Sequence, residues 1–369
     1  MKFRNYLAAY AGVSLTVFLA LGLPANAQRY NRTDLTVDQL ATSSTAANQD
    51  PNLVNSWGLA RSSTSAWWVS DNHTGVSTLY DGNGARQQLV VTVPLPKDAT
   101  TGVSAPTGVV FNPTASFEVT PGKAAIFIFA TEDGTISAWN PRVDPTNAIR
   151  MVNRPKDAIY KGLAIAQTAK GAFLYATNFK TGKVEVFDTR FHLVPLSSTN
   201  VFRNPNLPDN VNWSAFGIQN VGGNIVVTYA RREPGDTDEE HGAGLGRVAI
   251  FDTDGRFLSE LQPGPWMNAP WGIALSPSDF GAFSHRLLIG NFGSGNIHAF
   301  NAITGRHEGA LMDTNGQLLF IDSVWALGFG SGTTGLLNEL FFTSGPHDEN
   351  DGLFGKISVI SSEQRGNTE

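Results

Sequence analysis

Apolar residues along this chain fall in short runs, separated by Gly, Asp, Asn and Ser, and the runs return at a fixed period. Six segments share one frame: "GVSTLYD" from Gly75, "GTISAWN" from Gly134, "GKVEVFD" from Gly182, "GRVAIFD" from Gly246, "GNIHAFN" from Gly295 and "GKISVIS" from Gly355. Each begins with glycine and alternates through an apolar strand. Each then carries an aromatic or isoleucine in the sixth place and Asp, Asn or Ser in the seventh, where such side chains favour a turn. Upstream lies a second series, "SWGLA", "PTGVVF", "YKGLAI", "AFGIQN", "PWGIAL" and "VWALGF". Its small residues Gly58, Gly108, Gly162, Gly217, Gly272 and Ala326 are spaced 50, 54, 55, 55 and 54 apart. A third apolar run sits between the two series in every copy, as in "AWWVS" and "RLLIGN". A fourth strand is clearest in "QQLVVTVPL".

A unit of about 55 residues with three or four short strands and no amphipathic helix predicts a β-propeller blade. Six copies predict a six-bladed, all-β propeller. The small residues belong where the innermost strands converge on the axis, because a Cβ there would crowd the neighbouring blade. The last copy has little sequence after "KISVI" to serve as its outer strand, whereas "TDLTVDQL" at 33–40 can supply one. The N-terminal strand is therefore expected to close the ring by pairing with the Gly355 strand, which removes two exposed edges. On this reading residues 28–369 form one domain.

Residues 1–27 read differently. Lys2 and Arg4 precede an apolar run from Leu7 to Leu23, and Ala25-Asn26-Ala27 offers a cleavage site, the pattern of a secretory signal peptide. The expected product is an exported bacterial protein, periplasmic or secreted, monomeric, and without a membrane span after cleavage. Formal net charge is −6, and near −8 without Lys2 and Arg4, so no basic face points to nucleic acid. The chain has no cysteine, which excludes disulfides, thiolate metal sites and thiol catalysis.

The succession "LVNSWGLA", "WWVSDNHTGVSTLYDGNG", "FLYATNFKTGKVEVFD" and "GPHDENDGLFGKI" resembles a family of uncharacterised exported bacterial proteins with NHL-like propeller repeats, over essentially the whole mature chain. Some members carry a C-terminal sorting tail. This chain ends without the apolar tail and basic stop, so sorting of that kind is not expected of it. The resemblance implies a fold and an exported location. More remotely, NHL-like propellers include lactonases and other metal-dependent hydrolases, lyases, and plain binding modules.

In a propeller, the loop entering the innermost strand and the loop joining the second and third strands open on one face. The residues preceding the axial positions are Trp57, Thr107, Lys161, Phe216, Trp271 and Trp325. At a channel mouth the aromatic faces could stack a flat ligand or a sugar, and Lys161 could meet an anion; otherwise the rings plug the channel. Asn178 and Asn291 stand at turns on the same side. Two loops are longer than a turn requires, "ARREPGDTDEEHGAGLG" and "SGPHDENDG". They bring Asp236, Asp238, Glu239, Glu240 and His241, then His347, Asp348, Glu349 and Asp351; shorter loops add Asp71, His73, Glu132 and Asp133. His73, His241, His347, Asp71 and Asp348 could hold a divalent cation, Ca, Mg or Zn, although no tight ligand motif occurs. Two functions follow as expectations. One is binding of a small molecule, or of an exported protein or glycan, at the mouth; the other is a lactonase-like, metal-dependent hydrolase or lyase. His298 reads as a packed strand residue.

Overall fold

A computed structural model describes residues 29–40, 45–196, 201–208, 212–232 and 237–360. The segment read as a signal peptide and Asp236 lie outside them. The blades follow the repeat. Blade one is Ser56–Ala60, Trp67–Asp71, Val76–Tyr80 and Val91–Thr92, in that order from axis to rim. Blades two, four and five repeat this four-stranded antiparallel order, and blade three has three strands among the described residues, Tyr160–Thr168, Gly171–Asn178 and Lys183–Phe187.

Blade six is built from both ends of the described chain. Val324–Phe329, Leu340–Ser344 and Leu353–Val359 are followed outward by Tyr30–Val37, antiparallel to Leu353–Val359 with Thr33 opposite Lys356 and Asp34 opposite Gly355. Closure by the N-terminal strand thus holds, with the strand starting three residues earlier than its sequence suggested. Asn48–Gln49 then pairs parallel to its outer edge.

The core is divided, because each blade buries both faces against its neighbours. Separate apolar clusters fill each of the six interfaces; Trp68, Phe127 and Phe129 occupy the first and Tyr30, Leu288 and Phe342 the fifth. At the axis the glycines are required by close approach. A Cβ on Gly217 would stand 2.2 Å from the carbonyl oxygen of Trp271, and one on Gly272 would stand 2.5 Å from that of Trp325. Among the described residues no helix is long and apolar enough to cross a membrane.

Candidate functional site

In all six blades the pairing of the first two strands slips next to the axial small residue, between Ser56 and Leu59, Phe129 and Thr131, Tyr160 and Gly162, Ala215 and Ile218, Pro270 and Gly272, and Val324 and Leu327. A bulge re-aims side chains. Here it turns the residue before each axial position toward the channel. Trp57 and Trp325 stack with ring centroids 3.6 Å apart, Phe292 covers the other side of Trp325 at 3.9 Å, and Phe216 and Trp271 stand edge-on to Trp325.

These rings bury one another. Trp57, Phe216 and Trp325 are at most 1% exposed, so the expectation that they offer faces to a ligand is corrected. They close the channel because five large aromatic side chains converge on an axis with room for one stack. Trp271 keeps some exposure, and its indole N–H donates to the Lys161 carbonyl at 2.9 Å.

Lys161 sits on this plug, its Nζ 4.8 Å from the Phe179 ring and 5.5 Å from that of Trp57. The expectation that it meets an incoming anion is also corrected. Its ammonium is fully buried and already paired with Asp238 at 3.0 Å, Glu239 at 3.1 Å and Glu132 at 3.2 Å. Burial alone would lower its pKa, but Glu239, Glu132 and Asp238 outweigh burial and hold the lysine above its usual range. Burial likewise raises Glu239, and Lys161 together with hydrogen bonds from His241 and the backbone more than reverses it.

Glu349 completes the layer. Its carboxylate accepts from Asn55 Nδ2 at 2.6 Å, and Asn55 Oδ1 accepts the Trp325 indole N–H at 2.9 Å. Burial, then the negative Glu239 and Glu132 against the opposing Lys161, push Glu349 up to about 7. A turn of left-handed backbone carries it there, with φ of 54°, 54° and 64° at His347, Asp348 and Glu349. Non-glycine residues adopt that region at about 1–2 kcal/mol each, and such costs collect at functional sites.

The five residues considered for a cation do not converge. His73 approaches Asn55 at 3.5 Å, and burial lowers its pKa. His241 faces Glu239 at 3.9 Å, which raises its pKa, and packs edge-on to Phe292. His347 is exposed and pairs with Asp351, Asp348 points into solvent, and Asp71 is buried against Thr78. Among the described residues no three His, Asp or Glu side chains gather as a metal-holding set.

Asn178 and Asn291 are buried turn pins. Asn178 Nδ2 donates to Asp157 O and Glu185, and Asn291 Oδ1 accepts from the Asn268 amide at 2.9 Å. In four blades the first residue after the second strand faces the axis: Asn72, Glu132, Phe179 and Phe292 occupy this second ring. Asn55, Asn72, Phe179 and Phe292 escaped the sequence reading. Counting one residue past each strand end would have found the last three.

No protein-family model matches the chain. An uncharacterised protein of Acanthamoeba polyphaga mimivirus is 32% identical over 319 residues, 85% of this chain and 76% of the relative. A second from the same virus is 28% identical over 322 residues, 85% of this chain and 82% of the relative. These relatives are viral and lend no support to a bacterial, exported origin. Among solved structures, the PQQ-bound aldose sugar dehydrogenase of Streptomyces coelicolor superposes with a TM-score of 0.54 at 13% identity, covering 90% of this chain and 99% of that one. A streptogramin B lyase superposes with a TM-score of 0.50 at 12% identity, covering 89% and 97%. At such identities the likeness is one of fold. By the extent and level of its identity to the first viral relative, this six-bladed propeller belongs to one family with the mimivirus protein.

Proposed function

We propose that the protein is a binding propeller whose closed, acidic mouth receives the positively charged group of a small molecule or partner. The observation that supports this most is the state of Glu349, held at about 7 by burial and by the charges of Glu239 and Glu132 despite Lys161 nearby. Burial is the first cause and the carboxylates of Glu239 and Glu132 add to it, so a cation arriving beside Glu349 would favour its ionised form. We place the protein outside the cytoplasm, on the apolar segment Leu7 to Leu23 and the Ala25-Asn26-Ala27 site that follows it.

A calorimetric titration with putrescine tests the reading. Run near pH 7 in two buffers of different ionisation enthalpy, it should show saturable binding with proton release, because the bound diamine lowers the pKa of Glu349. Glu349→Gln should bind without releasing the proton, and Asp238→Asn should bind more weakly. Absence of saturation at millimolar putrescine, or binding with no proton release, would overturn the proposal. Calcium in place of the diamine, binding and raising the melting temperature, would favour the cation-site alternative instead.

A further inference from the structure

The channel is stoppered at the mouth but open at the other end. Beyond each axial small residue the strand runs away from the plug, and the next positions, Leu59, Val109, Leu163, Ile218, Ile273 and Leu327, form an apolar ring with one side chain per blade. The lumen inside this ring is a narrow space of 30 Å³. It shares Leu59, Val109, Gln219 and Leu327 with a wider vestibule of 380 Å³, whose rim carries Phe111, Ile165, Asn220, Phe329 and Arg61. That volume lies within the ~300–1,000 Å³ usual for small-molecule sites.

Arg61 is the one charged residue among those lining the vestibule. Its guanidinium lies over the Trp67 ring at 5.1 Å. It donates to Phe329 O at 2.9 Å, Gly330 O at 2.8 Å and Ser62 O at 3.2 Å. These partners are neutral carbonyls, and burial alone accounts for the lowering of its pKa, with no carboxylate acting on it. Gln219, at the neck between the two cavities, is exposed. The two ends of the axis therefore differ in kind: carboxylates crowd the mouth, and a half-buried cation borders an apolar hollow at the other end.

We propose that this vestibule is a binding site for a small amphipathic monoanion, its apolar part in the hollow lined by Leu59, Val109, Phe111, Leu327 and Phe329 and its negative group at Arg61. An apolar body drives entry by leaving water, and the guanidinium supplies charge and hydrogen-bond direction. The site is independent of the acidic mouth, because the aromatic plug separates them.

Titrating the full chain with octanoate, octanol and octylamine, followed by calorimetry, tests this. Octanoate should saturate the protein and bind about tenfold or more tightly than octylammonium, whose charge Arg61 repels. Arg61→Leu should erase that preference while leaving octanol unchanged. Gln219→Trp should fill the neck and abolish octanoate binding, and since Gln219 is exposed its melting temperature should match the wild type. Glu349→Gln, at the far end, should bind octanoate normally. The proposal fails if octanoate does not saturate, if octylammonium binds equally well, or if octanoate binding survives Gln219→Trp in a folded protein.

Discussion

Lys161 and Glu239 show how little freedom the mouth has. The ammonium is 2% exposed and the carboxylate 4%, so removing Lys161 leaves Glu239 a buried charge with only His241 facing it at 3.9 Å, whereas removing Glu239 still leaves Lys161 its contacts with Asp238 and Glu132. Breaking such a pair from one side costs about 3–5 kcal/mol, whereas neutralising both partners together can cost little. Lys161→Met should therefore lower the denaturation midpoint sharply, and Lys161→Met combined with Glu239→Gln should recover much of the loss. Equal and additive losses in urea titrations would mean the two groups do not act as a pair. Lys161, Glu132, Asp238 and Glu239 were all legible as residue types near a mouth. Their mutual neutralisation was not, because Lys161 and Glu239 come from blades three and four and Glu132 from blade two, and composition carries no distances.

Strands and turns explain where the reading of the site went astray by one position. Asn178 and Asn291 end their strands with side chains tied into the neighbouring turns, while the first turn residues Phe179 and Phe292 reach the plug, so choosing the asparagines selected side chains aimed into the turn. The repeat itself was read correctly because each blade meets the same two demands, a small residue at the axis and a turn before the third strand. Blade five also carries a device that its spacing hides. His298 and His307 face each other across its third and fourth strands, Nδ1 to Nε2 at 2.9 Å, and Trp266 stacks on His307 at 4.1 Å. Burial, then the neighbouring His307, lower His298 from its ordinary 6.5 to about 4, against a smaller opposing contribution from Gly309. The unfolded chain takes up that proton below about 6.5, while the folded blade refuses it until near 4. The contribution is thus fully present above 6.5 and is lost as pH falls through the window down to 4. His298→Leu should flatten the fall in melting temperature across that window relative to wild type. An unchanged slope would show that the pair does not titrate this way.

Whether the ring behaves as one unit depends on its closure. Each interface cluster draws side chains from two blades, so no blade keeps both faces covered unless the circle is complete. Tyr30–Val37 completes it. Tyr30 is fully buried, its hydroxyl donates to Phe280 O in blade five at 3.1 Å, and Leu35 enters the cluster between blades six and one. One strand thereby fastens two interfaces on opposite sides of blade six. Replacing Tyr30 and Leu35 by alanine removes buried groups worth about 5 kcal/mol or more together. Because the loss falls on closure, it should not melt blade six alone. The double variant should unfold in a single transition at a lower temperature, with amide exchange accelerating in blades one and five as well as six. A separate early transition confined to blade six would mean that the remaining blades stand as an open arc, and that the N-terminal strand seals an edge without fastening the ring. The first outcome is expected because the aromatic plug draws on blades one, three, four, five and six at once, so a blade cannot leave the circle without exposing Trp57 and Trp325.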